Sequence, residues 1–304
     1  MSDTAAARPA LDAYRRGMIL VLLGSIASSW LGLGVRMMEA ATAWQILAFR
    51  SFGLAAFLSL YIALRHPGRF AAVFHSAGAA SVLGGLSLAA AFSGSIVAIQ
   101  QSSVANAMFL LAAAPFIVAI LGRLILKEPV RPATWIAMFF AFMGIVIMVV
   151  EGVSFGFVRG NIAGVVAAFG FAFFVIALRW GRLTDMLPLN VLGGVFGTLI
   201  AVAMCMISGV GLEVSLHDAG LGLAMGVFQL GLALVLITAG SRSVPAAETS
   251  LLMMAEVVLA PVWVWLLLGE TAGFYTLIGG AMLLLAIAGD AIAGLRSQEA
   301  HIRQ

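Results

Sequence analysis

Two ionisable residues stand where the surrounding sequence leaves them no water. Arg50 lies in ILAFRSFGLAAF (46–57) and Glu256 in MAEVVLAPVWVWLLLGE (254–270), each near the middle of an apolar run. A charge at the centre of a lipid-buried helix costs about 3 kcal/mol even on permissive insertion scales, so such residues are functional hypotheses by default. Two kinds of chemistry are open to them: pairing with one another, or meeting the charged ends of a substrate. Glu256 is also placed to carry a proton. The structural alternatives are an Arg50 that bonds helix-end carbonyls and a Glu256 that stays buried and protonated.

Uncharged polar and aromatic residues supply the other candidates. Ser25, Ser28 and Ser29 fall in the first apolar run, Ser87 and Ser93 in the third, and Gln229 in the eighth. Serines in such runs more often close helix contacts than bind ligands, whereas a lone amide such as Gln229 needs a partner. Asn106, placed at the cytoplasmic start of span 4, is either a ligand or a cap. The aromatic residues Trp30 and Phe92, with Phe169 and Phe173 one turn apart in FGFAFF (169–174), would suit an apolar or aromatic substrate side chain. Trp263 and Trp265 lie in a further run, and Trp44, Trp135 and Trp180 read as an interfacial belt. Ser28, Ser29, Trp30, Arg50, Ser87, Phe92, Asn106, Phe169, Phe173, Gln229 and Glu256 are thus the candidate substrate-binding residues.

Chemistry of other kinds is poorly provided for. There is no GxxxxGK[ST] loop and no HExxH, and His66, His75, His217 and His301 are not spaced to share a metal. The single cysteine, Cys205, excludes a disulfide framework and a CxxC centre. No catalytic group, metal or cofactor is expected. A polytopic membrane enzyme, such as a lipid-headgroup transferase, would show Asp, His or Lys clustered at one membrane face. A channel would show a continuous polar stripe, and here the polar residues are scattered singly.

The elements that must position these residues are membrane helices. Of 304 residues, 63% are hydrophobic and 10% charged, with mean hydropathy +1.13; a soluble domain carries about 25% charged residues. Against a requirement of about 20 apolar residues per span, ten spans are expected: 17–36, 42–64, 73–99, 103–126, 132–150, 161–179, 187–209, 218–240, 246–268 and 272–294. The breaks between them are turn-forming or charged, as in RHPGR (65–69), KEPVRP (127–132), EGVSFGFVRG (151–160) and GRLTDMLP (181–188). The first run is too long for a signal peptide's apolar core and reads as a retained span. Placing the N-terminus in the cytoplasm puts thirteen Lys and Arg residues in inner loops and only Arg36 and Arg159 outside, which favours both termini inside. The net charge of +3 is therefore a topology signal, and no basic patch points to nucleic acid. Glu248 reads as a helix-start acid and Asp290 as a snorkelling group near the inner end of span 10.

A weak internal repeat organises the spans. At an offset of 142 residues Glu128 falls on Glu270 and Thr134 on Thr276, with five aliphatic identities around them. This lays span 4 on span 9 and span 5 on span 10, giving five helices per repeat. Five is odd, so the halves must be inverted, an arrangement typical of secondary transporters with a site near the midplane. The expected division is a cytoplasmic segment 1–16, a first repeat 17–150, an outer linker 151–160, a second repeat 161–294 and a cytoplasmic tail 295–304. Glu256 has no acidic twin, since Ala114 occupies the matching position.

AAAPFIVAILGRLILKE (112–128), MAEVVLAPVWVWLLLGE (254–270) and the arginine-bearing ILAFRSFGLAAF (46–57) resemble the drug/metabolite transporter superfamily in its EamA-type branch. The resemblance covers nearly the whole chain. It implies a ten-helix, all-α polytopic membrane protein of a bacterial cytoplasmic membrane. Helices 1, 3, 4, 6, 8 and 9 would line a central cavity and helices 5 and 10 lie outside it. It also implies outward transport of a small organic metabolite, most like an aromatic or other apolar amino acid, by a monomer in the lipid bilayer, with or without protons. Related members carry nucleotide sugars, phosphorylated sugars or drugs. One departure is that the family places proline directly after the acid matching Glu256, where this chain has Val257 and only later Pro261. Pro115, Pro261 and the 34 glycines are the expected places to bend.

Overall fold

Apolar runs of this length satisfy their backbone polar groups only as helices, and the computed structural model of the chain is helical throughout its spans. It describes residues 3–68, 78–127, 130, 132–154, 156–180, 187–241, 243–244 and 246–302. Outside these lie Arg69, His75, Glu128, Arg131, Arg182, Arg242 and Arg303, together with the side chains of Arg8, Glu248, Asp290, Arg296 and His301. Among the described residues ten helical units follow one another. They are α1 (Asp3–Ser28 and Leu31–Arg36), α2 (Ala43–Arg65), α3 (Gly78–Gln101), α4 (Val104–Leu111 and Ala114–Ile125), α5 (Pro132–Ser154), α6 (Val158–Trp180), α7 (Leu187–Ile207), α8 (Leu216–Gly240), α9 (Ala246–Leu268) and α10 (Phe274–Ile302). Among the described residues eight helices are long and apolar enough to cross a membrane, and α9 and α10 add the shorter apolar stretches Ala255–Leu268 and Phe274–Gly289.

The helix packing follows the repeat. The main pairs are α1 with α8 and α9, α2 with α7 and α8, α3 with α6 and α7, α4 with α6 and α9, and α5 with α10. Exchanging each helix for the one five places along returns the same set. Hydrogen bonds at one end of the bundle show that the counterparts run in opposite directions. Gln45 at the start of α2 donates to Gly211 and Glu213, just past the end of α7. Glu270, past the end of α9, accepts from the backbone N–H of Val104 at the start of α4. Glu151, near the end of α5, accepts from Tyr275 and Thr276 at the start of α10. The two five-helix halves are therefore inverted. The α5–α10 pair approaches through Gly144 and Gly279, where a side chain on either would run into the other's backbone carbonyl.

These contacts correct one expectation. Asn106, expected at the cytoplasmic start of span 4, shares an end with Arg36 and Glu270, opposite the Lys127 end of the same helix. An orientation that puts Lys127 inside therefore puts Asn106 outside. The helix breaks follow the expected prolines only in part. The helix of α9 continues through Pro261, whereas α4 breaks at Ala112–Ala113, just ahead of Pro115. The break in α1, at Ser29–Trp30, involves no proline. There Ser25 Oγ donates to Val21 O and Ser29 Oγ to Ile26 O, side-chain bonds that compete with the helical ladder and bend it.

Candidate functional site

The break in α1 sets the site. A helix that stops at Ser28 leaves its last carbonyls without ladder partners, and the Ser28 carbonyl accepts instead from Gln229 Nε2 at 2.8 Å. Gln229 is presented by Met225–Leu232, a π-helical stretch inside α8. Such wide turns concentrate at functional positions, because they redirect a side chain at the cost of regular hydrogen bonding. Gly226 permits this arrangement, since any side chain there would collide with the carbonyl of Arg50 on α2.

Arg50 is held on several sides. It is only 2% exposed, its Nε donates to Gln229 Oε1 at 3.1 Å, and its guanidinium carbon lies 5.2 Å from the centre of the Phe92 ring on α3. The ring's negative face favours the cation. Nη1 is buried without a hydrogen-bond partner. An orphaned buried donor is rare enough in folded proteins to call for an explanation.

Glu256 on α9 supplies the opposite charge. Its side chain lies beside that of Ser28 and within electrostatic reach of Arg50. Although deep among the helices, it is only half-buried, so part of its surface is left uncovered. Two turns further along α9, Trp263 Nε1 donates to Ser29 Oγ at 2.8 Å. The Trp263 ring tilts against Trp30 at a centroid distance of 5.7 Å, and Trp30 is itself 46% exposed. One cation, one anion and two partly uncovered indoles thus gather around a broken helix. Such an arrangement sets polar and apolar groups side by side in one place.

Of the residues singled out from sequence, Ser28, Ser29, Trp30, Arg50, Phe92, Gln229 and Glu256 come together here. The remainder stand apart. Asn106 donates to Asn161 Oδ1 at 2.6 Å, and Asn161 Nδ2 reaches Val149 O, tying α4 to α6 and α5 near the Arg36 end. Ser87 donates back along its own helix to Leu83. Phe169 and Phe173 are 44% and 42% exposed, on an α6 face shared with exposed Ile162, Val165 and Val166, an unbroken apolar stripe of the kind that lipid covers. Sequence reasoning gave Trp263 no role in the site and did not foresee the break in α1 or the π-helical stretch. The signals available were the serine density of SIASSW (25–30) and the glycines flanking Gln229, Gly226 and Gly231.

At the Arg36 end of the bundle an ion pair ties several helix ends together. Arg36 Nε donates to Glu270 Oε2 at 2.7 Å and its Nη2 to Ser102 O at 2.6 Å, while Glu270 Oε1 accepts from Val104 N at 2.8 Å. Four helix ends, of α1, α3, α4 and α9, meet at these two side chains. Nearby, the carboxylate of Asp218 at the start of α8 accepts from the backbone of Glu39, Ala40 and Ala41 between α1 and α2.

Comparison with known proteins agrees with this architecture. Residues 15–150 and 158–289 each match the sequence model of the EamA-like transporter family. No curated protein matches the chain. Sixteen chains of solved structures match it. One, described only as the crystal structure of a protein, is 18% identical and superposes with a TM-score of 0.58, over 92% of this chain and 98% of its own. At that identity the likeness concerns the fold alone.

Proposed function

Because the chain belongs to the EamA-like transporter family, and so to the drug/metabolite transporter superfamily, we propose that it exports small amino acids with aromatic or other apolar side chains by alternating access. The observation carrying this reading is that Arg50 and Glu256, of opposite charge and within electrostatic reach of one another, lie beside the Trp30–Trp263 pair at a broken helix. An α-amino acid offers a carboxylate, an ammonium and a side chain to match these three features.

The inverted halves supply the movement. Arg50 belongs to the first repeat and Glu256 to the second, so rocking one half against the other changes what lies between them. On this reading the Arg36–Glu270 ion pair acts as a gate at one end. On the distribution of Lys and Arg this is the outer end, in a bacterial cytoplasmic membrane with both termini inside. Glu256 is the residue on which proton coupling would rest. Nucleotide sugars and phosphorylated sugars suit the site less well, because Glu256 repels a phosphate that only Arg50 would attract.

Flux of radiolabelled phenylalanine, leucine and other amino acids into proteoliposomes of the purified chain, with and without a pH gradient, tests this reading. Uptake of an apolar amino acid above that of empty vesicles is expected. Absence of flux for every amino acid would refute it.

A further inference from the structure

We infer that Arg50 and Glu256 form a charge-balanced site selective for zwitterions, in which the substrate's carboxylate binds Arg50 at Nη1 and its ammonium binds Glu256. This rests on the reading of these residues as a transport site and adds which end of the substrate each residue takes.

Three observations converge. First, Arg50 is fixed by bonds that do not use its outer edge. Nε is taken by Gln229 and one ring face by Phe92, while Nη1 is buried and unpartnered. Gln229 is itself held by the Ser28 carbonyl, so the guanidinium is oriented before any ligand arrives. Guanidinium groups bind carboxylates strongly through such pre-set donors.

Second, Glu256 has acceptor capacity to spare. A carboxylate offers about four lone-pair directions, only the Ser28 side chain among the described residues lies close enough to occupy one of them, and part of the residue's surface is uncovered. The indoles of Trp30 and Trp263 lie along the same seam between α1 and α9. They can receive an apolar side chain or the edge of an ammonium.

Third, the two charges cancel. A zwitterion inserted between them leaves the site neutral, with each ion still facing an opposite charge. An amine without a carboxylate adds net positive charge in a water-poor interior, and an acid without an ammonium adds net negative charge. Uncompensated charge in such surroundings is heavily disfavoured. Arg50 and Glu256 also sit on opposite repeats, so the zwitterion links the two moving halves.

Counterflow of radiolabelled L-phenylalanine in proteoliposomes of the full chain tests this, with phenethylamine and 3-phenylpropionate as competitors lacking the carboxylate and the ammonium respectively. Unlabelled phenylalanine is expected to compete at least about tenfold better than either analogue, a discrimination equivalent to one ionic contact. In Glu256→Gln the preference against 3-phenylpropionate should relax, and in Arg50→Gln the preference against phenethylamine. Equal competition by an analogue in the unaltered protein overturns the inference, and that arm depends on no variant folding. Unchanged competition profiles in both variants, each eluting as a folded species, also overturn it. Phenylalanine counterflow that ignores the head group sinks only this inference, whereas no counterflow of any amino acid sinks the transport reading and this inference with it.

Discussion

Gln229 is the residue on which the geometry of the site depends. Its amide closes two open valences together, the Ser28 carbonyl left by the broken helix and Arg50 Nε. Replacing it by leucine keeps the volume and removes both bonds, and each orphaned buried group costs about 1–3 kcal/mol. Gln229→Leu is therefore expected to lower the thermal midpoint of the purified protein by several degrees and to abolish flux. Phe92→Leu removes the ring beneath the guanidinium, a contact of about 0.5–2 kcal/mol. It should weaken apparent substrate affinity by up to about tenfold while leaving the fold intact, measured by flux against substrate concentration. Arg50, Gln229 and Glu256 were legible in the sequence because a polar group in an apolar run advertises its own cost. Trp263 was not, because an indole in a membrane helix is unremarkable until a hydroxyl is found at its N–H. Phe169 and Phe173 show the reverse. Their spacing is as regular as a binding face would be, yet only the packing of α6 reveals which side they occupy.

At the scale of elements, the break in α1 and the π-helical stretch in α8 bring the candidate residues together. The break before Pro115 could be read from the sequence. The one at Ser29–Trp30 could not, because it results from several serine hydroxyls competing for carbonyls, each a common event alone. The Arg36–Glu270 pair joins four helix ends, and its partners lie 234 positions apart in the chain, so no local pattern discloses it. Glu270→Gln keeps an acceptor for Val104 but loses the ion pair. In a Cys205→Ala background carrying Ser103→Cys, it should raise the labelling rate of the new thiol by a membrane-impermeant reagent several-fold, as the end opens more often. An unchanged rate would remove the pair from the closing mechanism. Gly226→Ala, by contrast, should act on assembly. Its methyl has no space against the Arg50 carbonyl, so α2 and α8 must separate and the yield of folded protein should fall.

At the scale of the molecule, the architecture was readable to a large extent. Ten spans follow from hydropathy alone, and their inversion from an offset of 142 residues that carries Glu128 onto Glu270 and Thr134 onto Thr276. The repeat matters because it divides the site. The first half brings Arg50 and Phe92 and the second brings Gln229, Glu256 and Trp263. That division lay beyond the sequence, since side chains 179 to 206 positions apart meet only once two sets of five helices have packed. The orientation is open to a separate check: tags on the two termini should both be shielded from protease in intact cells, and exposure of either would reverse the assignment of the Arg36–Glu270 end. The central claim, that transported amino acids pass between the halves at Arg50 and Glu256, is tested most directly by an experimental density map of the protein with an aromatic amino acid bound. The account predicts ligand density against Trp30 and Trp263, with the carboxylate within hydrogen-bonding distance of Arg50 and the ammonium within hydrogen-bonding distance of Glu256. Density lodged elsewhere, or a ligand contacting neither charge, would contradict it.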